Sequence, residues 1–334
     1  MYGTALGGLA ITLVIRRINW RKMSAILLTL LILADTLSAF ADIPSLLYAI
    51  RFIHGLVGGA LIGVGFSVIA RVRNPEITFA ILIFIQLSLG GLGTAVLMPL
   101  IASFGTSIIW LSLLGFSVLS LVLLPWLDDY AAPEDPALAD PSVNRAPLSV
   151  IVLALSALFF YQAGQMAAFA YVIEIGTSYL FSPEFVSLTV ATALWVGGPA
   201  ALIVAWWSTR SGRVVPILLG TLITIISIAM LLLDTPWIFV AANVCFGIFF
   251  SLTIPYLLGI ASELDDSGQV AAIAGFISSL GLATGPAIAA MILGEGQLAQ
   301  VLTFAICLLI ISGILVVLPA RKLDTRTRRG SIEW

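Results

Sequence analysis

Four ionisable side chains stand inside long apolar stretches of this 334-residue chain: Asp35, Arg51, His54 and Glu174. His54 follows Arg51 by three residues, which is close to one helical turn. Carboxylates and imidazole bind and release protons, and a histidine has an unperturbed pKa of about 6.5. Because ionisable groups at membrane depth cost a few kcal/mol, they indicate a functional site. The expected chemistry is proton binding beside a fixed positive charge.

Each of these residues also has a simpler interpretation. Arg51 could extend its guanidinium to the nearest membrane surface, and His54 could be a packing residue that donates one hydrogen bond. Asp35 could form a salt bridge at a helix end, and Glu174 could hold the outer end of its helix. An ion pair between Asp35 and Arg51 is geometrically feasible, because antiparallel neighbouring helices bring the two to a similar depth.

The elements that carry these residues are long and apolar. The chain is 60% hydrophobic and 10% charged, with a mean hydropathy of +1.14, whereas soluble chains carry about 25% charged residues. A soluble enzyme is therefore excluded, and about 20 apolar residues suffice for each helix that crosses a bilayer. The sequence predicts an all-α integral membrane protein of eleven spans, near 2–15, 23–41, 45–70, 77–102, 107–126, 149–180, 184–207, 214–233, 237–260, 270–293 and 299–319.

The basic residues predict the orientation of the chain. Of the 15 Lys and Arg residues, all except Arg51 fall on one side of the alternating spans. The positive-inside rule makes that side cytoplasmic, so the chain begins outside and ends in a basic cytoplasmic tail, 321–334. The first predicted span has only about 14 residues, too few to cross comfortably. We therefore expect that one preceding helix is missing from this chain.

A polar segment divides the predicted spans into two groups. Residues 127–148 are rich in Asp and Pro and predict a flexible cytoplasmic linker. It separates an incomplete bundle of five spans, 1–126, from a six-helix bundle, 149–320. Short basic loops recur at equivalent places in the two halves, reading RRINWRK at Arg16–Lys22 and RSGR at Arg210–Arg213.

Over essentially its whole length the chain resembles the major facilitator superfamily of transporters. The topology, the central linker and the paired basic loops carry the resemblance. So does the spacing Leu47-x-x-x-Arg51-x-x-x-Gly55-x-x-x-Gly59, which is similar to a family motif whose arginine is associated with proton coupling in drug/proton antiporters.

The match has gaps. The Asp of the family's basic-loop motif is replaced by Arg16 in the first loop and by Thr209 in the second. A Gly-x-x-x-Gly-Pro signature stands in the tenth span, from Gly281 to Pro286, rather than in the fourth.

The resemblance implies two helical bundles that alternate in opening a central cavity, lacking the first of twelve helices. Neutral polar side chains complete the predicted substrate cavity: Gln86, Tyr161, Gln162, Gln165, Asn243 and Tyr256. Small or basic residues are predicted to act in helix packing or gating: Gly55, Gly59, Gly63, Gly281, Gly285, Pro286, Arg16, Arg17, Arg210 and Arg213.

The function that follows is secondary transport by a monomer in a bacterial-type inner membrane. We expect proton-coupled export of a neutral or amphipathic small molecule, with Arg51, Asp35, His54 and Glu174 in the coupling group. A metabolite importer of the same fold and a non-transporting member are the alternatives. The chain contains no phosphate-binding Gly-x-x-x-x-Gly-Lys motif and a single histidine, so we predict no ATP-driven module, no metal site and no cofactor. Nothing in its charge indicates nucleic acid, and Cys245 and Cys307 are expected to be packing residues.

Overall fold

The structure, a computed structural model, describes residues 2–41, 43–127, 145–294 and 298–329. Every regular element in these ranges is helical. The α-helices are α1 (Tyr2–Thr12), α2 (Trp20–Ala39), α3 (Pro44–Ile69), α4 (Pro75–Phe104), α5 (Ser107–Leu123), α6 (Leu148–Phe169), α7 (Val172–Ser178), α8 (Pro183–Trp207), α9 (Val214–Met230), α10 (Pro236–Glu263), α11 (Gln269–Leu293) and α12 (Leu298–Arg329). Short 3₁₀ turns follow α1 and α5.

Nine helical stretches of the described residues are long and apolar enough to cross a membrane. One of them, Leu148–Ser178, contains both α6 and α7. The two remaining elements are shorter: α9 has 17 residues and α1 has 11. When α6 and α7 are counted as one span, eleven helical segments lie at the predicted positions. The prediction of an all-α, multi-pass membrane protein is confirmed.

The helix starts follow from local sequence. Proline occupies the first turn of α3, α4, α8 and α10, where its missing N–H costs no intrahelical hydrogen bond. The Asn19 side chain caps α2 by accepting a hydrogen bond from Lys22 N at 2.9 Å. Ser182 caps α8 in the same way, accepting from Phe185 N at 3.2 Å. Such caps satisfy N–H groups that a helix leaves without partners.

Two predicted segments differ from the structure. The span expected at 149–180 is broken, because Tyr171 leaves helical geometry between α6 and α7. Hydropathy does not detect this break, since the residues on both sides are apolar. The last helix does not end near 319; it continues to Arg329 through most of the predicted tail. Residues 128–144 of the predicted linker and residues 330–334 of the tail lie outside the described residues.

The described chain falls into two compact units. Unit 1 consists of Met1–Arg71, Leu92–Val143 and Asp265–Ser279; unit 2 consists of Val72–Gly91, Asn144–Leu264 and Leu280–Trp334. The helices α4 and α11 are therefore divided between the units. The predicted division of the chain at the linker stays a prediction.

Unit 1 is held together by a close approach of α1 and α3. A Cβ atom added to Gly59 would lie 1.8 Å from the Thr4 carbonyl oxygen, and one added to Gly7 would lie 1.7 Å from the Leu56 carbonyl oxygen. On the same face of α3, Gly63 packs against the side chain of Ile11. Small residues thus let two backbones touch, which is a common way to pack helices in membranes.

Candidate functional site

Three ionisable side chains of unit 1 meet where α2 ends and α3 begins. Arg51 Nη2 donates a hydrogen bond to Asp35 Oδ1 at 2.8 Å. His54 Nε2 lies 3.1 Å from the same oxygen. The spacing of Arg51 and His54 puts both on one face of α3, and the short connection after α2 returns the chain antiparallel beside Asp35. The structure therefore brings together three of the four candidates for proton coupling.

The carboxylate at the centre of this group is fully buried. Asp35 is 0% exposed, and its second oxygen, Oδ2, has no hydrogen-bond partner among the described residues. Arg51 Nη2 also donates to Ser38 Oγ at 2.6 Å, and that hydroxyl donates to the Ala34 carbonyl at 2.7 Å. Arg51 therefore points into the helix pair and not toward a membrane surface. A buried carboxylate shared by a guanidinium and an imidazole can exchange a proton with little movement of heavy atoms.

An aromatic ring that sequence reasoning missed completes the group. The guanidinium carbon of Arg51 lies 4.4 Å from the ring centre of Trp110, near the start of α5. Stacked contacts of this kind stabilise a cation by a fraction of a kcal/mol to about 2 kcal/mol, depending on burial. No pattern in the sequence indicates it, because a tryptophan near a helix end is typical of membrane interfaces in general.

The fourth candidate, Glu174, is not part of this group. It is an exposed residue of α7, in unit 2. Because the helix breaks after Ala170, Glu174 does not continue a face of α6. At the break, the Tyr171 hydroxyl donates to the Pro286 carbonyl at 3.3 Å.

The predicted cavity residues all lie in unit 2, in two kinds of environment. Gln86 is exposed on α4. The other five are buried, and most bond to other helices or to their own helix. Tyr161 lies 3.4 Å from the Thr224 hydroxyl, Asn243 donates to its own helix at Phe239, and Tyr256 donates to the Ser208 carbonyl.

Gln162 and Gln165 form a separate pair on α6. Gln165 Nε2 donates to Gln162 Oε1 at 3.2 Å. Beside them, the Gly281–Pro286 segment packs closely on α6: a Cβ added to Gly285 would lie 2.1 Å from the Ala163 carbonyl oxygen. The glycines of this signature pack closely on α6, and the two amide side chains are buried there.

The basic loop after α1 contacts the start of α11 within unit 1. Arg16 Nη2 lies 3.7 Å from Asp265 Oδ1, and Arg17 is exposed. Asp265 Oδ2 also accepts hydrogen bonds from the backbone of Gln269 and Val270, so this carboxylate caps α11. One acidic side chain thus connects a helix start with the basic loop.

The counterpart loop between α8 and α9 holds a more extensive ion-pair network. Arg213 donates from Nε and Nη2 to the two oxygens of Glu263, at 3.0 and 2.6 Å. Its Nη1 and backbone N–H donate to Asp324 at 3.2 and 2.8 Å. Burial alone would lower the pKa of the Arg213 guanidinium, but the two carboxylates outweigh it and raise the pKa. Arg210 is exposed, stacked near Trp206.

Replacing Arg213 with methionine should lower the free energy of unfolding by about 2–3 kcal/mol. Breaking a buried ion pair costs roughly 3–5 kcal/mol, and the partial exposure of the Glu263 and Asp324 side chains, 24% and 16%, reduces that cost. Denaturant unfolding in detergent micelles measures the change. The matched control is Arg210→Met in the same loop, with an expected change below about 1 kcal/mol because that side chain is exposed. Equal losses in the two variants would show that the network contributes nothing of its own.

Apolar helices of membrane-spanning length, joined by basic loops, define an integral membrane protein. The chain belongs to the Major Facilitator Superfamily, whose sequence model matches residues 153–333. A search of curated proteins finds no significant match.

Solved structures of this fold resemble the chain along most of its length. A variant of the E. coli fucose:proton symporter FucP has a TM-score of 0.72 at 11% identity, covering 95% of this chain and 89% of that one. FucP in the outward conformation gives the same score and identity, with 95% and 88% covered. The human organic anion transporter MFSD10 (TETRAN) has a TM-score of 0.71 at 15% identity, with 94% and 80% covered. These likenesses establish the fold, and transport follows from the family.

Proposed function

We propose that this transporter couples the movement of a small molecule to protons through Asp35, Arg51 and His54. The observation that carries the proposal is the fully buried Asp35 carboxylate, which contacts a guanidinium and an imidazole through one oxygen. In an apolar phase such a group is costly, and a role in proton transfer accounts for it. A histidine is suited to take up and release protons near neutral pH.

The three side chains would have different tasks. Arg51 would hold the Asp35 carboxylate in place through the hydrogen bond from Nη2. His54, whose side chain is 25% exposed, can receive a proton from water, while Asp35 is closed to water. A proton on His54 turns a group with zero net charge into one with a single positive charge. That change alters the attraction between α2 and α3 and would favour one conformation of the transporter over another.

The substrate is proposed to be neutral or amphipathic. Gln162 and Gln165 offer amide donors and acceptors without charge, which suits hydroxyl or amide groups of a ligand. Tyr161, Asn243, Tyr256 and Gln86 remain candidates for the cavity wall, and Glu174 for a second proton or substrate site. No charged side chain of this set is buried, so a strongly charged substrate would find no counterion there.

Orientation and gating are proposals from the charge pattern. The basic loops would face the cytoplasm in a bacterial-type inner membrane, with the C-terminus on the same side. The Arg16–Asp265 contact and the Arg213 network would then lie at the cytoplasmic gate, where helices must separate for the site to open. A single copy of the chain with its lipid suffices for this scheme.

Export by proton antiport is the proposed direction, supported by the resemblance of the Arg51 motif to that of drug/proton antiporters. Proton symport is the second candidate, because FucP, a fucose:proton symporter, shares the fold. Antiport and symport differ in the direction in which protons move relative to the compound, and this direction can be measured. Antiport moves protons out of an acidified vesicle as the compound enters, whereas symport carries protons and compound the same way.

Arg51→Ala should abolish proton movement driven by a transported compound. Inside-out vesicles containing the full chain are energised, a panel of amphipathic drugs, sugars and carboxylates is added, and the lumenal pH is followed. An antiported compound raises the lumenal pH with the parent chain and not with Arg51→Ala. The exposed Arg73 serves as the matched control, and Arg73→Ala should respond like the parent. If Arg51→Ala responds like the parent for such a compound, Arg51 is outside the coupling path.

A further inference from the structure

We propose that Trp110 is a positioning residue that holds the Arg51 guanidinium on Asp35 and thereby limits how tightly His54 binds a proton. Its role in transport rests on the function proposed above. Nothing in the family motif or in the sequence pattern points to this side chain; the assignment comes from its contact in the structure.

The start of α5 places the indole ring. Ser107 Oγ donates to the Ala39 carbonyl at the end of α2, at 3.4 Å, so the first turn of α5 is tied to the helix that carries Asp35. Trp110 lies one turn further along α5, half-buried, with its ring centre 4.4 Å from the Arg51 guanidinium carbon. No residue of α5 is buried, and the indole of Trp110 contacts the ionised group from this largely exposed helix.

Arg51 needs such support because its polar contacts are few. Both of its hydrogen bonds, to Asp35 and to Ser38, come from the single nitrogen Nη2, and Nε has no partner among the described residues. A guanidinium normally holds a carboxylate most firmly through two parallel hydrogen bonds. The side chain is also long and 22% exposed, so without the ring it could turn toward a membrane surface.

The position of Arg51 controls the charge next to His54. Since Arg51 Nη2 and His54 Nε2 contact the same oxygen at 2.8 and 3.1 Å, the two nitrogens lie within about 6 Å of one another. A positive charge at that distance opposes protonation of the imidazole. It also competes with His54 for the same oxygen of the Asp35 carboxylate. If Arg51 moves away, His54 becomes the only basic group of this cluster that contacts Asp35, and it binds its proton more tightly.

The other charged or titratable groups on the helices of unit 1 do not compete. Residues 92–104 of α4, the whole of α5 and residues 269–279 of α11 carry none. Tyr2 on α1 and Tyr48 on α3 are exposed. Arg21 and Lys22 lie at the opposite end of α2, about 20 Å from Asp35 along the helix.

His54 is the only histidine of the chain, which allows a direct test that needs no substrate. The full chain is labelled with isotopic histidine and placed in lipid nanodiscs, and the imidazole NMR signal is titrated with pH. In Trp110→Leu the midpoint should rise by about one pH unit, a tenfold gain in proton affinity, because one nearby positive charge is lost. Arg51→Met should give the same rise, and the double variant should add nothing further. Trp110→Phe should titrate like the parent, since a phenylalanine face also holds a cation.

Several outcomes would overturn the proposal: a midpoint in Trp110→Leu equal to the parent value, additive shifts in the double variant, or a shift in Trp110→Phe as large as in Trp110→Leu. The last would indicate a general packing role for the indole. The titration is independent of the vesicle assay. The midpoint could rise in Trp110→Leu while, in the vesicle assay, Arg51→Ala moves protons like the parent chain. That pair of results would leave the positioning role intact and contradict only the proposed function.

Discussion

An Asp35→Asn variant is expected to lose substrate-driven proton movement completely while keeping its folded structure. Asparagine has the shape of aspartate and can still accept the hydrogen bond from Arg51, but it carries no charge. Asp35 is the only anion that contacts Arg51 and His54 in the described part of the chain. Without it, two basic groups face one another and a second positive charge on His54 becomes unfavourable. Vesicle assays with a transported compound should therefore give the signal of empty vesicles.

Two further variants make this result specific. Asp35→Glu keeps the charge and should retain part of the coupling. The exposed Asp234 of unit 2 provides a comparison in Asp234→Asn, which should respond like the parent. Some loss of stability accompanies Asp35→Asn, about 2 kcal/mol or less, because Arg51 is partly exposed and can reach water. Coupled transport by a folded Asp35→Asn protein would remove the carboxylate from the mechanism.

Gly59→Ala is expected to have the largest effect on stability, lowering the free energy of unfolding by about 3 kcal/mol or more. Overpacking in a core costs roughly 1–3 kcal/mol where side chains can yield. Here the new methyl group would lie 1.8 Å from the carbonyl oxygen of Thr4, a backbone atom that can move only if α1 moves. Separation of α1 from α3 would also open the packing around Ile11 and Val64.

The same substitution six residues further along α3 provides the control. A Cβ added to Gly65 meets no atom within 4 Å. Gly65→Ala should therefore stabilise the helix slightly, by up to about 1 kcal/mol, through helix propensity alone. Thermal and denaturant unfolding in the same detergent compare the two variants. Similar stabilities would mean that the close approach of α1 and α3 does not contribute to folding.

The fold could be predicted because its main determinant, the length of each apolar stretch, is read directly from the sequence. A helix break inside an apolar stretch does not change that length and is therefore not detected. At the interruption, Tyr171 contacts Pro286 of a distant helix, and no local pattern in the sequence indicates that contact. The continuation of α12 escapes for the opposite reason: charged residues after 320 indicate the end of the membrane, but they do not end a helix.

The candidate site was predictable only in part. Asp35, Arg51 and His54 can be selected because charged groups are rare in apolar helices, and the turn between α2 and α3 limits how far apart they can lie. The packing of all neighbouring helices decides which faces are in contact. The contact between Arg51 and Trp110 therefore could not be predicted from the sequence. Glu174 shows the converse. It was chosen as a candidate because charged residues are rare in apolar helices, yet it is an exposed residue of unit 2.

The contact between Asp324 and the start of α9 affects how the chain can be shortened or tagged. Asp324 accepts hydrogen bonds from the backbone of Arg213 and Val214, so a residue near the end of α12 caps a helix 110 positions earlier in the chain. Trimming at the predicted tail boundary of 321 would remove that cap together with one of the two carboxylate partners of Arg213. Purification tags and reporter fusions therefore belong beyond Arg329, where they leave the last turns of α12 in place.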